Sequence, residues 1–235
     1  MAVALATILS PALAQGQNLF VSDRTGDFSA NICEFTPGGT RSTFASGLNE
    51  PFGLAFDSAG NLFVADFGKI YEFTPGGTRS TFASRLNEPF GLAFDSAGNL
   101  FVADGNIYKF TPGGTRSTFA SGLNEPFGLA FDSAGNLFVG DFQSSNIYEF
   151  TTGGTRSTFA SGLDYPHGLA FDSAGNLFVA DLSGNIYEFT PDGTRSTFAS
   201  GLATPEFLAF QVPEPSTWAM LGMGVIALLG IRRWK

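Results

Sequence analysis

The chain has little of what most enzymes and most disulfide-stapled domains are built from. It contains one cysteine, Cys33, and one histidine, His167, in 235 residues. A single cysteine excludes an intramolecular disulfide. Bases are scarce: 12 Lys and Arg face 21 Asp and Glu, a formal net charge of −9. That argues against nucleic-acid binding, which needs a basic surface. The acid excess suits solubility first and cation binding second. Between residues 15 and 211 no apolar pattern of helical period reaches the length of a helix. No nucleophile motif, phosphate loop or zinc-ligand spacing occurs. What is abundant is glycine, 30 residues, and phenylalanine, 27 residues. Together they suit short strands, tight turns and an aromatic core.

The two ends read as addresses rather than fold. Residues 1–14, MAVALATILSPALA, are apolar and close on Ala12-Leu13-Ala14, a small-x-small cleavage pattern. They read as a signal peptide whose usual basic start is missing. The other end, from Val212, holds Pro213-Glu214-Pro215, an apolar run from Trp218 to Ile231, and the bases Arg232, Arg233 and Lys235. The run has 14 residues, short of the roughly 20 of a stable span, and is expected to be a hydrophobic, transmembrane-like helix. A buried core helix is the alternative. The order of proline hinge, apolar stretch and basic stop resembles a PEP-CTERM sorting signal over residues 212–235. That resemblance implies export by Gram-negative-type bacteria and recognition at Pro213, Glu214 and Pro215. It also implies a tail held in the membrane until an exosortase-type membrane protease removes it, with the protein passing to the envelope or beyond.

Between the ends, one unit recurs. Asp57, Asp95, Asp132 and Asp172 stand 38, 37 and 40 residues apart. Each unit contains four short segments: GLAF (Gly53–Phe56), NLFVAD (Asn61–Asp66), IYEFT (Ile70–Thr74) and TRSTFA (Thr78–Ala83). All are rich in aromatic or β-branched residues and bounded by Gly, Pro, Asn or Asp, which are strand signals. Asp57-Ser58-Ala59-Gly60-Asn61 and Thr74-Pro75-Gly76-Gly77 read as tight turns. The connection after Asp66 and its copies varies in length, as a surface loop does.

Four strands per roughly 40 residues is the repeat of a β-propeller blade. Every strand type occurs five times between residues 15 and 211. The chain opens on the second type, at Asn18–Val21, and stops after the first, at Phe207–Phe210. The expected fold is all-β: a five-bladed propeller of four-stranded blades, its ring closed by pairing the terminal strands. A six-bladed ring shortened at its start is the rival. The segment P-F-G-L-A-F-D-x-x-G-N-L-F-V-A-D, as at Pro51–Asp66, resembles the NHL repeat. More loosely, it is similar to gluconolactonase/regucalcin-like and streptogramin-lyase-like propellers. The resemblance covers residues 18–210 and implies the fold far more than an activity.

The candidate sites follow the repeats. Asp23, Asp66, Asp104, Asp141 and Asp181 end the second strands. A carboxylate ring for a cation is one reading; caps on backbone amides is the favoured one, because a ligand position rarely recurs in every repeat. Asp57 and its copies read as turn residues, lacking the dense oxygen pattern of a calcium loop. Arg41, Arg79, Arg116, Arg156 and Arg195 read as a solvated outer edge. Cys33 stands where later repeats carry Tyr71, Tyr108, Tyr148 and Tyr187, and reads as a packed thiol.

The segment before the first strand breaks the symmetry. It runs NEPF three times, with Glu50, Glu88 and Glu125. Then come Asp164-Tyr165-Pro166-His167 and Ala203-Thr204-Pro205-Glu206. This connection is expected at the channel mouth, where His167 and Glu206 from neighbouring blades can meet, with Tyr165 alongside. A His–carboxylate pair can bind metal or move a proton. The competing reading has His167 packing between blades as Phe52 does, and Glu206 as ordinary terminal-repeat divergence. No cofactor is expected, a divalent metal at this mouth being the exception. The expected role is a non-enzymatic binding or surface-matrix protein, with a polysaccharide or surface protein as partner. The alternative is a metal-assisted hydrolase or lyase.

Overall fold

The structure, a computed structural model, describes residues 18–23, 30–36 and 39–202, together with 205 and 208. Among the described residues there are 19 strands and no helix. They form five sheets, so the five-bladed count holds over the six-bladed rival. Blade I contains β1 (Leu19–Asp23), β2 (Ala30–Phe35) and β3 (Arg41–Leu48). Blade II contains β4 (Leu54–Phe56), β5 (Leu62–Asp66), β6 (Lys69–Phe73) and β7 (Arg79–Ser84). Blade III contains β8 (Leu92–Phe94), β9 (Leu100–Asp104), β10 (Asn106–Phe110) and β11 (Arg116–Ala120). Blade IV contains β12 (Pro126–Phe131), β13 (Leu137–Asp141), β14 (Asn146–Phe150) and β15 (Arg156–Ser161). Blade V contains β16 (Pro166–Phe171), β17 (Leu177–Asp181), β18 (Asn185–Phe189) and β19 (Arg195–Ala199). Each is an antiparallel meander in chain order. Blade I has three strands among the described residues; all of the expected closing strand, 207–210, except Leu208 lies outside them, as do the signal segment and the tail helix.

The second strand of each complete blade shows why the sequence needs apolar residues on both faces. In LFVAD every residue is buried. Strand alternation sends successive side chains to opposite faces, and each face meets a different neighbour. Leu62 and Val64 pack in the seam with blade I, whereas Phe63 and Ala65 pack in the seam with blade III. The same division recurs with Leu100 and Val102 against Phe101 and Ala103. Each fully buried Val, Leu or Phe contributes about 1.5–3 kcal/mol by area. The core is therefore a series of seams, not one central mass. In each seam a phenylalanine meets two others edge to face: Phe63 lies 5.0 Å from both Phe82 and Phe94. Phe101 and Phe138 repeat the motif.

Turns behave as the sequence expects. Asp57 Oδ1 accepts from the Ala59 and Asn61 amides at 2.9 and 2.8 Å, and its Oδ2 accepts from Asn61 Nδ2. Asp95, Asp132 and Asp172 repeat this set. Nearer the centre, the blades approach closely. The Gly53 amide donates to the Phe90 carbonyl of the next blade at 3.0 Å. A Cβ on Gly53 would lie 2.2 Å from that same oxygen, so only glycine permits the approach.

At the outer strands the arginines do more than face water. Arg79, Arg116, Arg156 and Arg195 lie over Tyr71, Tyr108, Tyr148 and Tyr187, their guanidinium carbons 4.8–5.0 Å from the ring centres. Such cation–π contacts are worth about 0.5–1 kcal/mol when exposed. Blade I lacks the tyrosine. There Cys33 is buried, and Arg41 reaches its sulfur at 3.0 Å and also pairs with Asp23.

Candidate functional site

The strand-ending aspartates are backbone caps. Asp66, Asp104, Asp141 and Asp181 are all buried. Asp66 accepts from the amides of Asn49 and Glu50, the latter at 2.7 Å. Asp104 accepts from Asn87 and Glu88 in the same way. Each carboxylate thereby fastens the connection that leads into its own blade's inner strand. Asp23 is the exception, turned to Arg41 and Cys33. Among the described residues no three His, Cys, Asp or Glu side chains gather as a metal set.

Blades IV and V use a second arrangement. Asp141 keeps the Asn124 amide, at 2.9 Å, and Asp181 keeps that of Asp164, at 3.1 Å. The second amide has left. The reason is backbone geometry: Glu125 and Tyr165 have φ of +67° and +53°. Non-glycine residues rarely adopt this region, and it costs on the order of 1 kcal/mol. The longer following loops satisfy the displaced backbone. The Phe142 amide donates to the Glu125 carbonyl at 3.0 Å, and Gln143 donates to Asn124 at 3.1 Å. In blade V, Leu182 donates to Asp164 at 2.8 Å and the Ser183 amide takes up Asp181. The inner strands then begin at the proline, six residues long in place of three.

The side chains that follow the connection proline in four blades, Phe52, Phe90, Phe127 and His167, converge. Phe90 stacks on Phe127 with ring centres 4.2 Å apart, and Phe52 meets Phe90 edge-on at 5.0 Å. His167 lies 4.2 Å from Phe127 and 5.1 Å from Phe142. Its exposure is 8%, against 7% for Phe127. The packing reading of His167 therefore describes its ring: it takes the place in blade V that phenylalanine takes in blades II to IV. Above it, the Tyr165 ring is 4.6 Å from Phe142 and 40% exposed. The Glu125 carboxylate is exposed and accepts from Gln143 Nε2 at 2.9 Å.

Of the sequence-selected residues, the structure thus links Tyr165 and His167 through Phe142, and bonds Glu125, on the connection into blade IV, to Gln143 of the Phe142 loop. Glu50 and Glu88 occupy the equivalent, exposed positions of blades II and III. Glu206 lies outside the described residues, and so does its expected pairing with His167. Pro213, Glu214, Pro215, Arg232 and Arg233 are outside them as well. Sequence reasoning missed Phe142 and Gln143. The signal was present in the length of the loop after Asp141, the longest of its kind among the complete blades.

Comparison with known proteins agrees with the fold. The family model of the PEP-CTERM protein-sorting motif matches residues 211–233, and that of the NHL repeat matches residues 163–185. The second match covers the divergent connection, the inner strand and the second strand of blade V. No protein of curated function matches the chain. Among solved structures, the fold is similar to a gluconolactonase of Xanthomonas campestris: TM-score 0.70, 22% identity, over 77% of this chain and 72% of that one. A streptogramin B lyase gives a TM-score of 0.65 at 17% identity, over 82% and 72%. The virginiamycin B lyase of Staphylococcus aureus gives 0.65 at 15%, over 82% and 73%. The chain is a β-propeller with an NHL-type repeat and a C-terminal sorting motif. At these identities the likeness is one of fold alone.

Proposed function

We propose that this is an exported bacterial propeller, sorted through its PEP-CTERM tail by an exosortase-type protease, that acts as a non-enzymatic binding or surface-matrix protein. Its recognition surface is the mouth of blades IV and V, where Glu125, Gln143, Phe142 and Tyr165 present an exposed aromatic and an amide–carboxylate pair. The observation that carries this reading is the backbone there. Two neighbouring blades hold a non-glycine residue at positive φ at the same repeat position, whereas blades II and III hold the same segment unstrained. Strain shared by two adjacent blades at one repeat position marks a used surface, whereas Arg85 at +62° is a lone substitution at a glycine position. Exposed aromatics beside amide and carboxylate groups suit an extracellular polysaccharide or a surface protein. The test is capture by immobilised neutral and acidic polysaccharides and by envelope proteins. Tyr165→Ala and Glu125→Ala should each weaken retention about tenfold, and unchanged retention would refute the assignment of this surface.

The second reading is a metal-assisted hydrolase or lyase. The fold's likeness to gluconolactonase and streptogramin lyase favours it, together with the chain's one histidine at the mouth. Calorimetric titration with Ca²⁺, Mg²⁺ and Zn²⁺ separates the two. The binding-protein reading expects no heat that His167→Ala abolishes; a stoichiometric, His167-dependent site would favour catalysis.

A further inference from the structure

On the face opposite the mouth, seams between blades open into clefts. The cleft between blades IV and V has a volume of about 420 Å³ and is lined by Asp132, Phe138, Glu149, Phe159, Phe171 and Asp192, among others. The cleft between blades II and III, about 260 Å³, has Asp57, Phe63, Glu72, Phe82 and Phe94 in its lining. The two are repeat-equivalent. Strand register sets Glu72 opposite Phe63 and Glu149 opposite Phe138. In each, a turn aspartate and a strand glutamate flank a phenylalanine.

Blade III departs from this pattern in one residue. Register there sets Lys109, not glutamate, opposite Phe101. The Lys109 ammonium lies 3.6 Å from Asp95 Oδ2 and 5.3 Å from the centre of the Phe101 ring. Asp95 is the turn aspartate equivalent to Asp57 and Asp132, and holds the same turn bonds. The chain thus places its own ammonium where blades II and IV present a second carboxylate.

We propose that the clefts beside blades II and IV bind a primary ammonium group of a small ligand, seated as Lys109 is seated. The ammonium lies between the turn aspartate and the face of the second-strand phenylalanine, with Glu72 or Glu149 as a further acceptor. An ammonium has three donors and no acceptor, and an aromatic face attracts it. A calcium ion would need six or more oxygens and has no use for an aromatic wall. The wider cleft carries a third carboxylate, Asp192, where the other repeats have glycine, so it binds more tightly. This site is independent of the mouth.

The test is amide chemical-shift titration of the full chain with n-butylammonium chloride and, separately, glucosamine hydrochloride, against sodium chloride at equal ionic strength. Resonances around Asp132 and Glu149, and around Asp57 and Glu72, should shift saturably with the amines and not with sodium. The amine that saturates at lower concentration shows whether the group is borne on an alkyl chain or a sugar. Glu149→Lys should weaken binding at the first cleft at least about tenfold and leave the second unchanged. Lys109→Glu should create a response around Asp95. Both variants copy a residue the chain already carries at the equivalent position, so a dispersed spectrum is expected of each. Equal shifts with sodium, no saturable shifts in the wild type, or titrations indifferent to Glu149→Lys and Lys109→Glu would each overturn the proposal.

Discussion

Consider Gly53→Ala. Gly53 lies before β4 with no positive φ, so its backbone is one that alanine accepts. On local grounds the substitution should stabilise by about 0.5–1 kcal/mol, because alanine has less freedom to lose on folding. The neighbouring blade reverses the sign. The new Cβ would meet Phe90 O at 2.2 Å, Leu92 N at 3.1 Å and Gly91 Cα at 3.3 Å. All three are backbone atoms, and no side chain can swing aside. Restoring an ordinary 3.4 Å contact requires blades II and III to part by about 1.2 Å at this point. A gap of ~0.5–1 Å already forfeits a quarter to a half of the dispersion energy across it. The seam at risk holds Phe63, Ala65, Leu92, Leu100 and Val102. The Gly53–Phe90 hydrogen bond is strained as well. A net loss of roughly 3 kcal/mol follows, at the upper end of ordinary overpacking. The assay is urea unfolding followed by far-UV circular dichroism. Gly47→Ala is the control: φ is +69° and nothing lies within 4 Å, so it should lose only the roughly 1–2 kcal/mol of a left-handed alanine. If Gly53→Ala were neutral or stabilising, the close approach of the inner strands would be wrong.

Other expectations are quicker to state. Arg85 holds φ +62° where the four equivalent residues are glycines, so Arg85→Gly should raise stability by about 0.5–1 kcal/mol in the same urea assay. Asp141→Ala removes the buried acceptor of the Asn124 amide and should cost about 1–3 kcal/mol; a loss below 0.5 would contradict the capping role. Partial burial pushes the Asp95 carboxyl up, but donors from Asn99 and Ala97, with the Lys109 charge, outweigh it and hold it below the ordinary 3.8. Its stabilising contribution is therefore complete above that pH and is lost as pH falls through the lowered folded-state value. Lys109→Met should move the Asp95 carboxyl upward in a carbon-detected titration, and no movement would refute the ion pair.

Much of this molecule could be read from its repeats because each blade solves the same packing problem. LFVAD is apolar on both faces since it serves two seams at once, and that pattern is visible without coordinates. The caps by Asp66, Asp104, Asp141 and Asp181 were readable for a related reason: a residue repeated at the strand end of blades II to V answers a need those blades share. What escaped was what depends on pairs of distant segments. The positive φ of Glu125 is not encoded in Asn-Glu-Pro-Phe, which blades II and III share and fold differently. It follows from the length of the loop at Phe142, whose amides compete for the same backbone. Likewise four of the arginines pass for a solvated edge until strand pairing sets each over the tyrosine of the preceding strand. Lys109 is one substitution in a long repeat, and it gains meaning only when register places it on Phe101.

The match to the sorting motif at residues 211–233 points to export and to processing of the tail. Intact-mass measurement of the protein recovered from the envelope and medium tests this directly. The recovered chain should lack the C-terminal segment that begins near Pro213, and Pro213→Ala with Pro215→Ala should leave the full-length tail in the membrane fraction. A wild-type chain recovered with its tail intact, or one whose processing ignores both proline substitutions, would contradict this reading.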